Sequence, residues 1–368
     1  MRGKTGGQGS QQDPHSTTER FVSRARNVMR HGLGSMLSQG LKTLSYHAGL
    51  YPILQQPGGI QPAILFYHKV QRRSVSLWGD PVLGMQQFEE HVSFLVREYQ
   101  PISLSELVAG LQRKGPLPDR AVVLTFDDGY RNNLVLAAPI LRHYGVPATF
   151  FITTGLVGTN QWMWAYECEH IFHQYPLKRI RECARHPIIE RICSLALPNR
   201  VTMLACVEYL KSVPHGELLE VMARLREQLP VEPDEENRFL SWNEVRRLRD
   251  DGFEIGAHTE THPILPRIPI EEVERELAVS LEVLERELGT RPALFAYPNG
   301  ITSRAITERV GRFFEAAVTT RPGVCSPATS LLELPRIAAP PPAGELAYLL
   351  TLHHLQGPPF LWPLVRSG

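Results

Sequence analysis

An apolar, β-branched run that stops on two adjacent carboxylates constrains this chain more than any other feature. Arg120-Ala-Val-Val-Leu124 reads as a buried strand, and Thr125-Phe-Asp-Asp-Gly-Tyr130 follows it. Successive strand residues face opposite ways, so Asp127 and Asp128 converge on one site only where the strand ends and the chain bends at Gly129. In parallel α/β architectures the strand ends are where chemistry is placed. Two bare carboxylates side by side repel each other, which favours a bound cation or a shared proton. An Asp-Gly turn with a helix cap accounts for the same residues without chemistry.

The strand rhythm recurs along the chain. Ala63-Ile-Leu-Phe-Tyr67 is a strand that ends on His68. The pattern predicts a helix from Leu134 to Tyr144, stopped by Gly145, and then a strand at Ala148–Ile152. Strand, helix, strand in that order is a βαβ unit, hence a parallel sheet. Ser241 and Glu244 have capping-box spacing and open another helix. Phe253–Ala257 is a strand ending on His258-Thr-Glu-Thr-His262, Ile270–Leu288 a long helix, and Ala293–Tyr297 a strand ending at Pro298-Asn-Gly300. Residues from about 156 to 238 break the rhythm with long helical patterns and hold four of the five cysteines. That length is too great for a loop, so it is expected to be a helical insertion.

Composition adds limits. A chain of 368 residues can bury one large core, or one core plus an insertion. A formal net charge of +1 gives no reason to expect nucleic acid as a partner. Five cysteines without a CxxC pair read as reduced thiols in a reducing compartment. Residues 1–20 are polar and read as disordered. Phe21–Leu50 lacks Asp and Glu, carries Arg24, Arg26, Arg30 and Lys42, and spaces Leu33, Leu37, Leu41 and Leu44 as a helix does. A basic amphipathic helix in peripheral contact with a membrane surface fits that stretch, and so does a helix packed on the outside of the domain. With no secretion signal or run of about eighteen apolar residues, the expected location is cytoplasmic or peripheral to the inner face of the membrane.

Three strand ends thus carry residues suited to metal binding or proton transfer: Asp127 with Asp128, His258 with His262, and His68. Two imidazoles and a carboxylate complete the protein ligands of a catalytic divalent metal and leave a position open. Such a donor set suits zinc (Zn2+), and cobalt (Co2+), nickel (Ni2+) or manganese (Mn2+) also fit it. His258 and His262 are four residues apart, which brings them to one side of a helical turn.

Taken together, Thr125–Gly129, His258–His262, and Arg291 with Phe295-Ala-Tyr-Pro-Asn-Gly300 resemble the polysaccharide deacetylases, the NodB-homology or carbohydrate esterase 4 family. Ala63–His68 is similar to the first strand of the poly-N-acetylglucosamine deacetylase branch. The resemblance implies a distorted, incomplete (β/α) barrel. It covers about residues 60–155 and 238–340 and does not explain the insertion or the tail; with the segment pattern, the expected domain is 59–345 with the helical insertion 156–238 inside it, between a polar and basic N-terminal extension (1–58) and a C-terminal tail (346–368). The resemblance implies that Asp128, His258 and His262 hold the metal, that Asp127 is the general base, and that Arg291 keeps Asp127 charged. It gives the backbone N–H of Asn299, where a tyrosine is more usual, to the oxyanion, and sets Tyr297 and Pro298 beside the substrate. His68 matches the branch's leaving-group acid, and Leu352-His-His354 is the competing assignment. Trp162 and Trp164 follow a strand end closely and are expected either to stack on sugar faces or to pack in a core. The implied activity removes N-acetyl groups from an N-acetylated polysaccharide or glycan precursor. O-deacetylation or deformylation of a lipid-linked sugar is one alternative, and a catalytically silent glycan-binding protein is another.

Overall fold

The computed structural model describes Ser45 and residues 61–356, apart from 74, 78, 79, 114, 116, 184, 185, 196–205, 208, 234 and 236. The acid-poor N-terminal stretch, Ser45 apart, lies outside the described residues. In chain order the strands are β1 (Ala63–Tyr67), β2 (Val70–Gln71), β3 (Val75–Leu77), β4 (Asp80–Gly84), β5 (Gln100–Pro101), β6 (Ala121–Phe126), β7 (Ala148–Ile152), β8 (Glu254–Ala257), β9 (Leu294–Ala296), β10 (Ala316–Val318) and β11 (Ile337–Ala338). The helices are α1 (Met85–Glu98), α2 (Leu104–Arg113), α3 (Ala138–Tyr144), α4 (Trp164–Gln174), α5 (Leu177–Cys183), α6 (Pro187–Leu195), α7 (His215–Gln228), α8 (Trp242–Asp250), α9 (Ile270–Leu288), α10 (Arg304–Val310) and α11 (Ala343–Gln356). A π-helical turn, Asn133–Ala137, leads into α3.

The main sheet runs β10-β9-β8-β7-β6-β1-β11, every pairing parallel, with β5 also on β6. It curls into an incomplete (β/α) barrel. Leu334 bridges to Val318 of β10, and three residues on Ile337 pairs with Leu65 of β1. The segment 334–338 therefore touches both ends of the curl. Period-two alternation sorts the side chains into two layers. Leu65, Leu124, Phe126 and Phe150 pack outward against Phe88 and Val92 of α1 and Leu141 of α3. Ile64, Val123, Phe151 and Ala296 face the other way, into a cluster closed by Leu104, Leu107 and Leu111 of α2.

Local signals explain the helix limits. Ser241 Oγ accepts from the Glu244 N–H, and the Glu244 carboxylate accepts from the Ser241 N–H at 2.9 Å, so the capping box forms. The left-handed glycines Gly145 and Gly289 end α3 and α9. Along α9, Val273, Leu277, Leu281, Leu284 and Leu288 form one buried stripe, each worth about 1.5–3 kcal/mol relative to exposure.

Between β7 and β8, α4–α7 build a core of their own around Cys168, Ile171, Ile189, Leu210, Val221 and Leu225. Cys168, Cys193, Cys206 and Cys325 are free and buried. At the other end, α11 sets Leu346, Ala347 and Leu350 in the main core. The boundary expected at 345 falls inside this helix, because its apolar face is part of the barrel's outer layer. Among the described residues no helix is long and apolar enough to cross a membrane.

Candidate metal centre and active site

The carboxyl ends of β1, β6, β8 and β9 meet at one cavity of about 290 Å³. The ladder between β1 and β6 extends one bond past the strand, from Asp127 N–H to the Tyr67 carbonyl at 2.9 Å. Asp127 thus keeps the inward direction of Thr125. The bend begins at Asp128, whose φ is 74°, and continues through Gly129 at 84°. A left-handed aspartate is uncommon but tolerated, and here it turns the second carboxylate to the same site. Both are buried.

Asp128 faces two imidazoles. Its Oδ1 lies 3.5 Å from Nε2 of His258 and 3.5 Å from Nε2 of His262. Nδ1 of His258 donates to the Ala296 carbonyl at 2.7 Å, which leaves the Nε2 side for Asp128. Burial raises the Asp128 carboxyl, but the hydrogen bond with His258 and the charges of His68 and His262 outweigh it and hold the group well below the usual carboxylate range. Burial followed by repulsion from His258 pushes His262 down to about 4, so its imidazole is neutral with a lone pair to give. Burial also lowers His258, but Asp128 and Asp127 reverse that and leave it above its ordinary value.

The donor set fits a divalent ion. Two ligands each about 2.0–2.1 Å from a tetrahedral zinc stand about 3.4 Å apart, close to the 3.5 Å measured from Asp128 to each ring. All three donor atoms lie within 4.8 Å of one another and are buried. His258 has the outer-shell acceptor usual for a ligating histidine, and the neighbouring His262 Nδ1 is buried with no partner among the described residues.

Asp127 is held differently. Arg336 donates to it twice, Nη1 to Oδ1 at 2.8 Å and Nη2 to Oδ2 at 2.7 Å, with both side chains buried. The guanidinium is itself fixed: Nε donates to the Thr319 carbonyl at 2.8 Å, Nη1 to Thr125 Oγ1 at 3.1 Å, and its face lies 4.7 Å from the Phe66 ring. Burial raises the Asp127 carboxyl, and the Arg336 charge and hydrogen bonds outweigh that and leave it depressed. His68, next on the inward face after Phe66, lines the cavity, and its charge lowers both carboxyls.

Four sequence-based placements need correction. Arg291 does not reach Asp127: it precedes β9, at the amino end of that strand, and pairs with Glu285 at 3.2 Å on the surface. Asp127 stands at the carboxyl end of β6, and Arg336 takes the assigned place. Tyr297 is fully buried in the outer layer, its hydroxyl donating to the Leu332 carbonyl at 2.9 Å, since alternation turns it away from the cavity. Pro298 is buried and does not line the cavity. Trp162 belongs to the insertion's core, with Nε1 donating to the Val231 carbonyl at 2.9 Å. Trp164, two residues on at the start of α4, does line the cavity, together with Tyr166. Asn299 lines it too, with φ 56° and its carbonyl accepting from Thr320 Oγ1. His353 and His354 sit on α11, and their side chains lie outside the described residues.

These positions separate two substitutions that the sequence pairs. Trp162→Ala is expected to cost about 3–5 kcal/mol, because it empties a packed site, and to leave substrate affinity in the surviving folded protein unchanged. Trp164→Ala is expected to raise KM with little loss of stability. Thermal melts beside initial-rate kinetics read both, and equal melting losses would assign both rings to the core.

Residues 114–313, more than half of the chain, match the sequence profile of the polysaccharide deacetylases. The chain belongs to the polysaccharide deacetylase family. Neither His68 nor Arg336 lies within the matched stretch. Over 95 residues the chain is 33% identical to the poly-beta-1,6-N-acetyl-D-glucosamine N-deacetylase of Escherichia coli strain K12, covering 25% of this chain and 14% of that protein. Over 77 residues it is 36% identical to the enzyme of the same name from Staphylococcus aureus strain MSSA476, covering 21% of this chain and 26% of that one. It therefore spans well under half the length of these curated relatives. Among solved structures, IcaB from Ammonifex degensii has the same fold, with a TM-score of 0.55 and 18% identity over 80% of this chain and 98% of that one.

Proposed function

We propose that this polysaccharide deacetylase family member is a metal-dependent hydrolase that removes N-acetyl groups from an N-acetylated polysaccharide or glycan precursor. The observation that carries the reading is the pairing, on one cavity floor, of a buried carboxylate locked by Arg336 with a buried carboxylate–imidazole–imidazole set. A divalent ion held by Asp128, His258 and His262, zinc by the chemistry of the donors, would polarise the acetyl carbonyl and acidify water. The chain's own residues do the rest. Asp127, kept ionised by Arg336, takes the proton of the attacking water. Asn299 offers its backbone N–H to the oxyanion that develops on the acetyl carbonyl. His68 gives a proton to the departing amine nitrogen from the β1 side of the cavity. Trp164, on the insertion's side of the mouth, stacks on the sugar.

The acid has a distinct signature, because an amine leaves only when protonated whereas an activated phenol leaves without help. His68→Ala is expected to lower N-deacetylation by about 10²–10⁴-fold, to retain bound metal, and to spare cleavage of an activated acetyl ester. His353→Ala and His354→Ala are expected to be mild. Steady-state rates on an N-acetylated glucosamine oligomer and on p-nitrophenyl acetate, with metal content measured in parallel, test this. Equal loss on both substrates would remove His68 from the acid's role.

A further inference from the structure

The two rings that face Asp128 are held in place in different ways. His258 is anchored through its ring, by the Nδ1 bond to the Ala296 carbonyl. Among the described residues His262 has no such anchor, its Nδ1 being buried and unpartnered. Ligating histidines normally have their second nitrogen fixed by an acceptor. The aim of the His262 ring therefore rests on the backbone beneath it, the turn His258-Thr-Glu-Thr-His262. That backbone is unusual, since Thr259 has φ 65° and His262 has φ 60°. Left-handed conformations at such residues persist only where the surroundings over-determine them.

Three sets of bonds do so. Within the turn, Thr259 Oγ1 donates to the His258 carbonyl at 2.6 Å and accepts from the His262 N–H at 3.0 Å. From β7's side, the N–H groups of Thr154 and Gly155 donate to the carbonyls of Thr259 and Glu260, at 3.1 and 2.8 Å. A Cβ at Gly155 would stand 2.6 Å from that Glu260 oxygen, so glycine is required for the approach. From α9's side, one buried carboxylate gathers three more donors. Glu276 accepts from the N–H of Glu260 at 2.8 Å, the N–H of Thr261 at 2.8 Å and the hydroxyl of Thr261 at 2.6 Å. Glu276 is 2% exposed, and Arg275 donates to its Oε1 at 3.2 Å and also pairs with Glu260. A charged acceptor taking three donors is stronger than a neutral one, and an amide in its place would turn its NH₂ either towards the Glu260 and Thr261 N–H groups, which share one oxygen, or towards the Arg275 N–H.

We infer that Glu276 is a positioning residue for the divalent ion: it fixes the left-handed turn that aims His262, in place of the missing bond to the His262 ring. The inference rests on the metal reading above. It is tested by binding, apart from turnover. Full-length wild type, Glu276→Gln, Glu276→Asp and Leu277→Ala are stripped of metal, and Zn2+ and Co2+ affinities are measured by competition with a chromophoric chelator. Leu277 is the next residue on α9 and is buried in the core, so its truncation lowers stability without touching the turn. The expected result is an affinity about 10–100-fold weaker in Glu276→Gln, with a changed visible spectrum of the Co2+ form. Glu276→Asp, which keeps the charge, is expected to lie between, and it reads the effect if Glu276→Gln does not fold. Leu277→Ala is expected to melt lower yet bind both ions as wild type does. Wild-type affinity and spectrum in the Glu276 variants would overturn the inference, and so would an equal affinity loss in Leu277→Ala. A wild-type protein that takes up neither ion would overturn the metal reading itself, and this inference with it.

Discussion

Replacing Arg336 by methionine is expected to destabilise the fold by about 3–5 kcal/mol and to remove most activity, because it strands a buried carboxylate. Arg336 is completely buried and makes both of its end-on bonds to Asp127. Without the guanidinium the largest offset to the burial of Asp127 is gone and only the weaker charges of His258 and His68 remain, so its carboxyl rises and the proposed base is expected to take up a proton. The pH dependence carries the same sign. In the wild type the folded-state value of Asp127 is depressed. The pair's contribution is then fully present above the unfolded carboxylate pKa of about 3.9, and it is lost as pH falls through the lower folded value. In Arg336→Met the folded value is raised, so the variant's deficit is largest near neutral pH and shrinks as acid protonates Asp127. Adding Asp127→Asn to Arg336→Met is expected to recover part of the lost stability, since the double variant strands no charge. Denaturant melts of both variants at neutral and acidic pH check this. A deficit independent of pH would show that packing, and not the ion pair, is what was lost.

Asp128→Ala, His258→Ala and His262→Ala are each expected to lose metal and activity together, since each supplies one of three protein donors in a site that offers no fourth among the described residues. Asp127→Asn is expected to separate the two properties. It keeps all three donors and removes only the group that accepts a proton, so metal stays and turnover falls by about 10²–10⁴-fold. Elemental analysis beside initial rates reads both quantities. Full metal occupancy in the three alanine variants would place the ion elsewhere, and near-normal turnover in Asp127→Asn would place the base elsewhere.

The parts of this site that were legible in sequence are those fixed by local chemistry. A β-branched run ending on Asp-Asp-Gly, and strands ending on histidine, need only alternation and a bend to converge, and they do converge. The contacts of Arg336 with Thr125 and Asp127 lie beyond that local reach. The arginine that locks Asp127 lies 209 positions away in sequence and arrives only because Leu334 and Ile337 bind opposite ends of the curled sheet. The resemblance points to Arg291 because it accompanies a family-like stretch, but Arg291 stands at the wrong end of its strand. A signal for Arg336 was present in Leu334-Pro-Arg-Ile337, one arginine between apolar residues that both become buried. The Trp162–Trp164 pair was ambiguous for a similar reason. Which ring faces the cavity depends on where α4 begins and on the insertion's own core, and neither follows from spacing.

On the function proposed above, Asp128, His258 and His262 hold a divalent ion that the chain uses, with Asp127 and His68, to remove N-acetyl groups from a glycan. The most direct measurement follows acetate and free amine released from N-acetylated glucosamine oligomers by zinc-loaded protein, by protein stripped with a chelator, and by stripped protein reloaded with zinc. Metal-dependent N-deacetylation gives equal amounts of acetate and amine from the loaded protein, none after stripping, and recovery on reloading. Release that survives complete stripping, or loaded protein that frees acetate only from O-acetyl esters in the same panel, would contradict it.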